Sequence, residues 1–169
     1  KDIFDIDTAE SGLIRFSDGE LAYITKRFDY ASSGEKYDQE DFASVLDVTS
    51  AKNGDDYKYA AKTYIDCANA IRTFVPSYIP MLEDFFKRVV LNYLICNGDA
   101  HLKNFSLYRK SDALQLTPNY DIMNTRLHLP KEALDTGLSF FEENSKAFNV
   151  IGFYSYHDFK EMSELLKMK

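Results

Sequence analysis

Residues 97–104 read Asn-Gly-Asp-Ala-His-Leu-Lys-Asn, and they crowd four different chemistries onto one short stretch: Asp99, His101, Lys103 and Asn104. A carboxylate such as Asp99 can take the proton of a hydroxyl as that hydroxyl attacks. An ammonium such as Lys103 can balance the anionic charge of a transferred phosphoryl group. A carboxamide oxygen such as that of Asn104 is a hard donor of the kind Mg²⁺ selects. That ion usually keeps several waters, so one amide and one carboxylate suffice to hold it. The carboxylate should come from a nearby strand end, and Asp121 is the obvious candidate. His101 either hydrogen-bonds the loop backbone or contacts phosphate. Singly, each residue has a plainer role: Asp99 and Asn104 as turn formers, His101 as a structural ring, Lys103 as a solvated charge, and Asp121 as the cap of a short helix starting at Ile122. It is their concentration that points to phosphoryl transfer.

The spacing sharpens this. Asp99 and Asn104 stand as the base and the metal-binding amide do in the H-R-D-x-x-x-x-N loop of protein kinases. A hairpin then returns the chain to Asp121, in the order such a loop requires.

The surrounding elements must hold these side chains in place. Ala60, Tyr64, Cys67, Ile71 and Phe74 recur with helical spacing, and Pro76 and Pro80 break that helix. A second helix is expected over residues 81–96. It places Phe85, Phe86, Val89, Val90, Tyr93 and Leu94 on an apolar face, with Glu83, Lys87, Arg88 and Asn92 largely opposite. It stops at Asn97-Gly98, so the reactive loop starts where a buried helix ends. Residues 105–108 and 114–116 flank a polar turn over 109–113 and predict a hairpin. Upstream, residues 13–16 and 21–28 flank Asp18-Gly19 and predict another. The polar run to Gln39 reads as a surface connection. Residues 134–148 are irregular. Ser155 with Asp158 marks a last helix, striped by Phe159, Met162, Leu165 and Leu166 and running to the chain end.

Bulk composition sets limits. The chain has 169 residues, 45% of them apolar, with 13 Phe, 12 Tyr and no Trp. That predicts a globular fold rather than disorder, rich in aromatic side chains. A net charge of −7 argues against direct nucleic-acid binding. No apolar run approaches the ~20 residues that span a bilayer. The two cysteines, Cys67 and Cys96, fall in predicted helices without zinc-ligand spacing. They read as free thiols of a reducing, cytoplasmic compartment.

Four segments, taken together, resemble a known family. Residues 98–107, Gly-Asp-Ala-His-Leu-Lys-Asn-Phe-Ser-Leu, resemble the G-x-D-A-H-x-K-N-[FY]-S signature of the HipA-like serine/threonine kinases. Residues 116–122 resemble that family's L-x-P-x-Y-D-[IL] segment, Lys26-Arg27-Phe28-Asp29 its inter-lobe hinge, and residues 38–42 its Q-E-D segment. The resemblance implies an α+β, mostly helical, kinase-like C-lobe with a short N-terminal hairpin. Residues 1–29 would be a remnant of N-lobe strands and hinge, and residues 30–169 the C-lobe. It implies ATP and Mg²⁺ as cofactors, with Asp99 as catalytic base and Asn104 and Asp121 on the metal. Lys26, Arg27 and Phe28 would contact adenine, with His101, Lys103 and Tyr120 around the nucleotide. The implied partners are a protein substrate with a Ser/Thr acceptor, an aminoacyl-tRNA synthetase in the best understood members, and a small HipB-like DNA-binding antitoxin.

One departure matters. Neither a glycine-rich phosphate loop nor a strand lysine precedes the hinge-like segment. The expectation is that this chain is the C-terminal piece of a longer or split protein, with little kinase activity alone. The competing readings are a pseudokinase or antitoxin-binding lobe without turnover, and a small-molecule or lipid kinase, whose loops share the G-D-x-H-x-x-N pattern.

Overall fold

A computed structural model describes residues 4–110, 112–129 and 135–168. Ser111, in the expected second turn, and Leu134, at the edge of the irregular stretch, lie outside the described residues. The first hairpin is formed by β1 (Ser11–Arg15) and β2 (Leu21–Thr25), antiparallel with Leu13 opposite Tyr23. Its turn needs a left-handed residue, and Gly19 supplies one at φ +93°. The strand ends at Thr25 rather than Phe28. The Lys26 N–H still donates to the Glu10 carbonyl at 2.8 Å. Beyond it the chain turns, as the Arg27 guanidinium pairs with the Asp29 carboxylate.

The next segment contains four short elements: β3 (Gln39–Asp41), α1 (Phe42–Val45), α2 (Ser50–Asn53) and α3 (Tyr57–Ala60). β3 replaces part of the expected surface connection. Two longer helices follow, α4 (Tyr64–Phe74) and α5 (Tyr78–Leu94). Ala60 belongs to α3 and not to α4, because Thr63 starts a new helix. Its hydroxyl accepts from the Asp66 N–H at 3.2 Å, and its own N–H donates to Asp66 Oδ2 at 2.8 Å. Phe74, expected on the apolar face, is exposed.

α5 begins before Met81 and ends before Cys96. Pro80 does not break it, because it sits in the first turn, where a helix has no partner for its N–H. Arg88 and Asn92 are buried, against expectation, and Leu94 is exposed. Arg88 is drawn inside by partners: it pairs with Asp84 and donates through Nη1 to the Thr117 carbonyl at 2.8 Å. The left-handed residue after α5 is Cys96, at φ +56°, ahead of the expected Asn97-Gly98 stop. Cys96 is therefore past the helix rather than within it.

The second hairpin is as expected: β4 (Ser106–Lys110) and β5 (Ala113–Leu116) pair antiparallel. β3 adds to it, giving a three-stranded sheet of order β3-β4-β5. The remaining helices are α6 (Thr125–His128), α7 (Lys146–Ile151) and α8 (Tyr156–Leu165). α7 begins inside the stretch expected to be irregular. α8 starts at the expected Ser155–Asp158 cap and ends before the last residues. Its Met162 is buried, as is Leu166 just beyond it, whereas Leu165 is exposed.

Aromatic residues fill the centre. The Phe85 and Phe105 rings lie 5.3 Å apart, and Phe42, Tyr64 and Phe140 extend the cluster. Each such ring removed from water stabilises the fold by roughly 1.5–3 kcal/mol. Phe105 directly follows Asn104, so the reactive loop is rooted in this cluster.

Candidate active site

Residues 97–104 do not hang free between α5 and β4. Asn97 is buried; it donates through its side chain to Asn92 Oδ1 at 2.9 Å and through its N–H to the Asn92 carbonyl at 2.8 Å. This explains why Asn92 lies inside the molecule. The Thr125 hydroxyl donates to the Cys96 carbonyl at 2.8 Å and accepts from the Gly98 N–H at 3.0 Å. The Tyr64 hydroxyl donates to the Ala100 carbonyl at 2.9 Å. On the far side Gly137 touches the loop backbone: a Cβ there would lie 2.4 Å from the Ala100 carbonyl carbon. Only glycine permits that approach.

The loop is thus clamped from four directions, and its side chains emerge in defined places. Asp99 is half-buried, with Oδ1 accepting from the Tyr59 hydroxyl at 2.5 Å. Burial and the adjacent carboxylate push the Tyr59 phenol up to about 12, so it stays a donor at neutral pH. The Tyr59 ring packs edge-on against His101 at 4.9 Å. His101 is buried, and both that burial and Lys58 lower its pKa, with Asp99 opposing; its ring is held neutral.

Asn104 and Asp121 meet. The Asn104 carboxamide donates to Asp121 Oδ2 at 2.7 Å, and its Oδ1 accepts from the His101 N–H at 3.2 Å. Asp121 has a left-handed backbone, φ +56°, unusual for a residue with a side chain. No helix starts at Ile122; α6 begins at Thr125 under an Asn124 cap, so Asp121 is not a helix cap. The segment leading to it is fixed by Arg88 at Thr117 and by pairing with the chain start. The Asn119 N–H donates to the Asp7 carbonyl at 2.8 Å and the Ala9 N–H to the Asn119 carbonyl at 2.9 Å.

A carboxamide beside an exposed carboxylate fits Mg²⁺, which takes hard oxygen ligands and completes its shell with water and phosphate oxygens; the Asn104 oxygen keeps a second lone pair next to the one taken by the His101 N–H. Among the described residues no group of three or more His, Cys, Asp or Glu side chains forms a closed metal cage. The donor set therefore suits an ion shared with a ligand rather than one held by protein alone.

Lys103 reaches sideways: Nζ donates to Asp41 Oδ2 at 2.6 Å. Burial works to raise the Asp41 pKa, but the hydrogen bonds from Lys103 and Ser44 outweigh it and hold the carboxyl below its ordinary range. The Tyr120 hydroxyl donates to the Lys103 carbonyl at 2.7 Å and lies 2.7 Å from Ser106 Oγ. Its ring stacks at a tilt on Phe28, 5.3 Å between centroids. A polar cleft of about 530 Å³ runs between these groups, lined by Asp29, Tyr37, Gln39, Asp41, Lys103 and Tyr120 among others.

The structure therefore gathers Asp99, His101, Lys103, Asn104, Tyr120 and Asp121 around one edge of the domain, with Phe28 against Tyr120. Lys26 and Arg27 stand further out, in exposed ion pairs with Glu10 and Asp29. The Lys26 N–H is taken by the Glu10 carbonyl, whereas the Arg27 and Phe28 backbones carry no hydrogen bond among the described residues. Sequence reasoning missed Tyr59, Asp41 and Gly137. Asp41 lay inside a recognised motif; Tyr59 and Gly137 carry no local signal.

Residues 2–168 match the family described as the HipA-like C-terminal domain. The chain belongs to that family. A Haemophilus influenzae protein provisionally named a kinase is 29% identical over 177 residues, covering 94% of this chain and 50% of its own length. A Sinorhizobium fredii protein, provisionally named kinase Y4dM, is 34% identical over 132 residues, covering 76% of this chain and 30% of its own length. A chain from the solved complex of HipA, HipB and operator DNA of the Shewanella oneidensis MR-1 toxin–antitoxin system superposes with a TM-score of 0.72 at 18% identity. That match covers 99% of this HipA-like domain and 41% of the other chain, and it establishes the shared α+β fold. The HipA-like domain here spans at most half the length of the relatives it matches. Among the described residues no helix is long and apolar enough to cross a membrane.

Proposed function

We propose that this HipA-like domain is the catalytic part of an ATP- and Mg²⁺-dependent serine/threonine protein kinase of the toxin type, working in the cytoplasm. The observation that carries the reading is the Asn104–Asp121 contact at 2.7 Å, formed beside Asp99 on a rigid loop. A carboxamide–carboxylate pair and a half-buried carboxylate suit a metal-bound phosphate and a base, whereas simple binding needs neither.

In this reading Asp99 accepts the proton of the acceptor hydroxyl. Asn104 and Asp121 hold Mg²⁺, which when bound would neutralise phosphate charge. Neutral His101 keeps Asn104 in place through its backbone N–H. Lys103, steered by Asp41, faces the cleft where the phosphates would lie. Phe28 and Tyr120 offer aromatic faces on which adenine stacks, with the Arg27–Phe28 backbone at its edge. The acceptor is a Ser/Thr of a protein substrate, an aminoacyl-tRNA synthetase by analogy with the family, and the regulatory partner is a HipB-like antitoxin.

The test uses the full-length protein. Mg²⁺-dependent thermal stabilisation by ATP is expected, because a ligand that binds only the native state raises apparent stability. Asp121→Asn is expected to remove the Mg²⁺ dependence of that shift. A full-length protein that ignores Mg²⁺-ATP would sink the reading and favour a lobe that binds an antitoxin without turnover.

A further inference from the structure

We propose that the Tyr59 hydroxyl occupies the place of the incoming acceptor hydroxyl, so that Tyr59 must leave Asp99 before phosphoryl transfer can occur. This rests on the kinase reading of the site.

A general base engages its substrate through one bond: the acceptor O–H must donate to the carboxylate. Asp99 Oδ1 already accepts such a bond, from Tyr59 at 2.5 Å. A phenol and a serine hydroxyl present the same kind of donor, and with the Tyr59 hydroxyl seated on Oδ1 its side chain fills the approach to that oxygen from the cavity it lines. Hydrogen bonds to ionised groups are the stronger kind, so this one competes effectively.

The surroundings allow the exchange. Tyr59 is also a wall of a cavity of about 540 Å³ whose other sides include Arg126, Gly137, Phe148, Phe153 and Tyr154. It lines that cavity and bonds the base, so an acceptor segment reaching Asp99 from the cavity has to pass Tyr59. The residue rides on α3, a helix of four residues whose Asp56 cap makes no side-chain hydrogen bond. Elements with so few internal bonds are the first to shift. Its ring contact with His101 is edge-on, so the ring can slide without opening the core.

Once Tyr59 has moved, the acceptor O–H donates to Asp99. Its oxygen bonds to the γ-phosphorus as the bond to the β,γ-bridging oxygen breaks. That oxygen leaves on ADP with the electron pair, and Asp99 keeps the proton. Tyr59 is neither consumed nor modified.

The experiment measures hydrolysis of Mg²⁺-ATP by the full-length protein, with water as the acceptor always present. Tyr59→Phe keeps the ring on His101 and removes only the competing donor. The expected result is about a tenfold rise in kcat, the scale of a lost hydrogen bond to a charged group. KM for ATP and the Mg²⁺-ATP thermal shift should not change. Tyr59→Leu, which also loses the ring, should raise kcat as well. A fall in kcat or no change in both variants, with ATP binding intact, would overturn the proposal and make Tyr59 a residue that merely positions the base. A wild-type protein that shows no Mg²⁺-ATP shift is a different failure, that of the kinase reading itself.

Discussion

Two hairpins of similar length and similar local chemistry end up in opposite environments. In β1–β2, Leu13, Ile14, Leu21, Tyr23 and Ile24 all face solvent. In β4–β5, Ser106, Leu107, Tyr108 and Leu116 are buried. The difference is not in the strands. β4–β5 gains a third strand in β3 and lies against the aromatic cluster, whereas β1–β2 has no further strand beside it among the described residues. A lone two-stranded ribbon is marginal in water, and a hairpin becomes stable when its apolar face meets a neighbour. The lesson is functional. Asn104 is placed by the buried hairpin that follows it, while the exposed hairpin contributes no side chain to the Asn104–Asp121 pair.

Substitutions in the two regions test this contrast. The largest effect is expected at the loop feeding the buried hairpin. Asp99→Asn in the full-length protein should lower phosphoryl transfer by about 10²–10⁴-fold, with its melting temperature nearly unchanged. Leu107→Ala, inside β4, should cost about 2–5 kcal/mol in urea unfolding, because it leaves a cavity against the core. Gly137→Ala forces a Cβ onto the Ala100 backbone. Overpacking of this kind costs roughly 1–3 kcal/mol, and here it should also weaken Mg²⁺-ATP binding, as seen by titration calorimetry.

A smaller effect should appear with pH. The Asp41 pKa is lowered in the folded state below its ordinary 3.8. Its contribution is therefore fully present above that value and is lost as pH falls through the folded value. Lys103→Met should flatten this acid-side loss in a melting curve taken against pH. The smallest effect belongs to the exposed hairpin. Leu13→Ser combined with Tyr23→Ser should change the unfolding free energy by less than ~0.5 kcal/mol, as surface substitutions do. A loss comparable with that of Leu107→Ala would show that the hairpin is packed in solution and would end the comparison.

Much of the fold was legible because local chemistry repeats. The Asp18-Gly19 turn, the start of α8 at Ser155 and the apolar positions around Phe85 and Val89 each follow from a short-range rule. The misreadings have different causes. Arg88 and Asn92 look like surface residues by type; the distant Thr117 carbonyl draws Arg88 inward, and Asn97, folding back just past the helix end, draws in Asn92. The single helix expected across Ala60 and Tyr64 failed because the Thr63–Asp66 cap overrode an apolar period that continued through it.

The list of reactive groups follows from the order of residues alone. Asp99, His101, Lys103 and Asn104 share one loop because they are neighbours in the chain, and their chemistry can be stated without coordinates. The tertiary structure decided which of these groups have partners. The hairpin between them already pointed Asn104 to Asp121, and the fold closes that contact across 17 positions; Asp99 finds Tyr59 across 40, with nothing local to announce it. No periodicity encodes such separations. They are set where the polypeptide crosses itself, by an aromatic core that packs in one arrangement and by a glycine at 137 that lets two backbones touch.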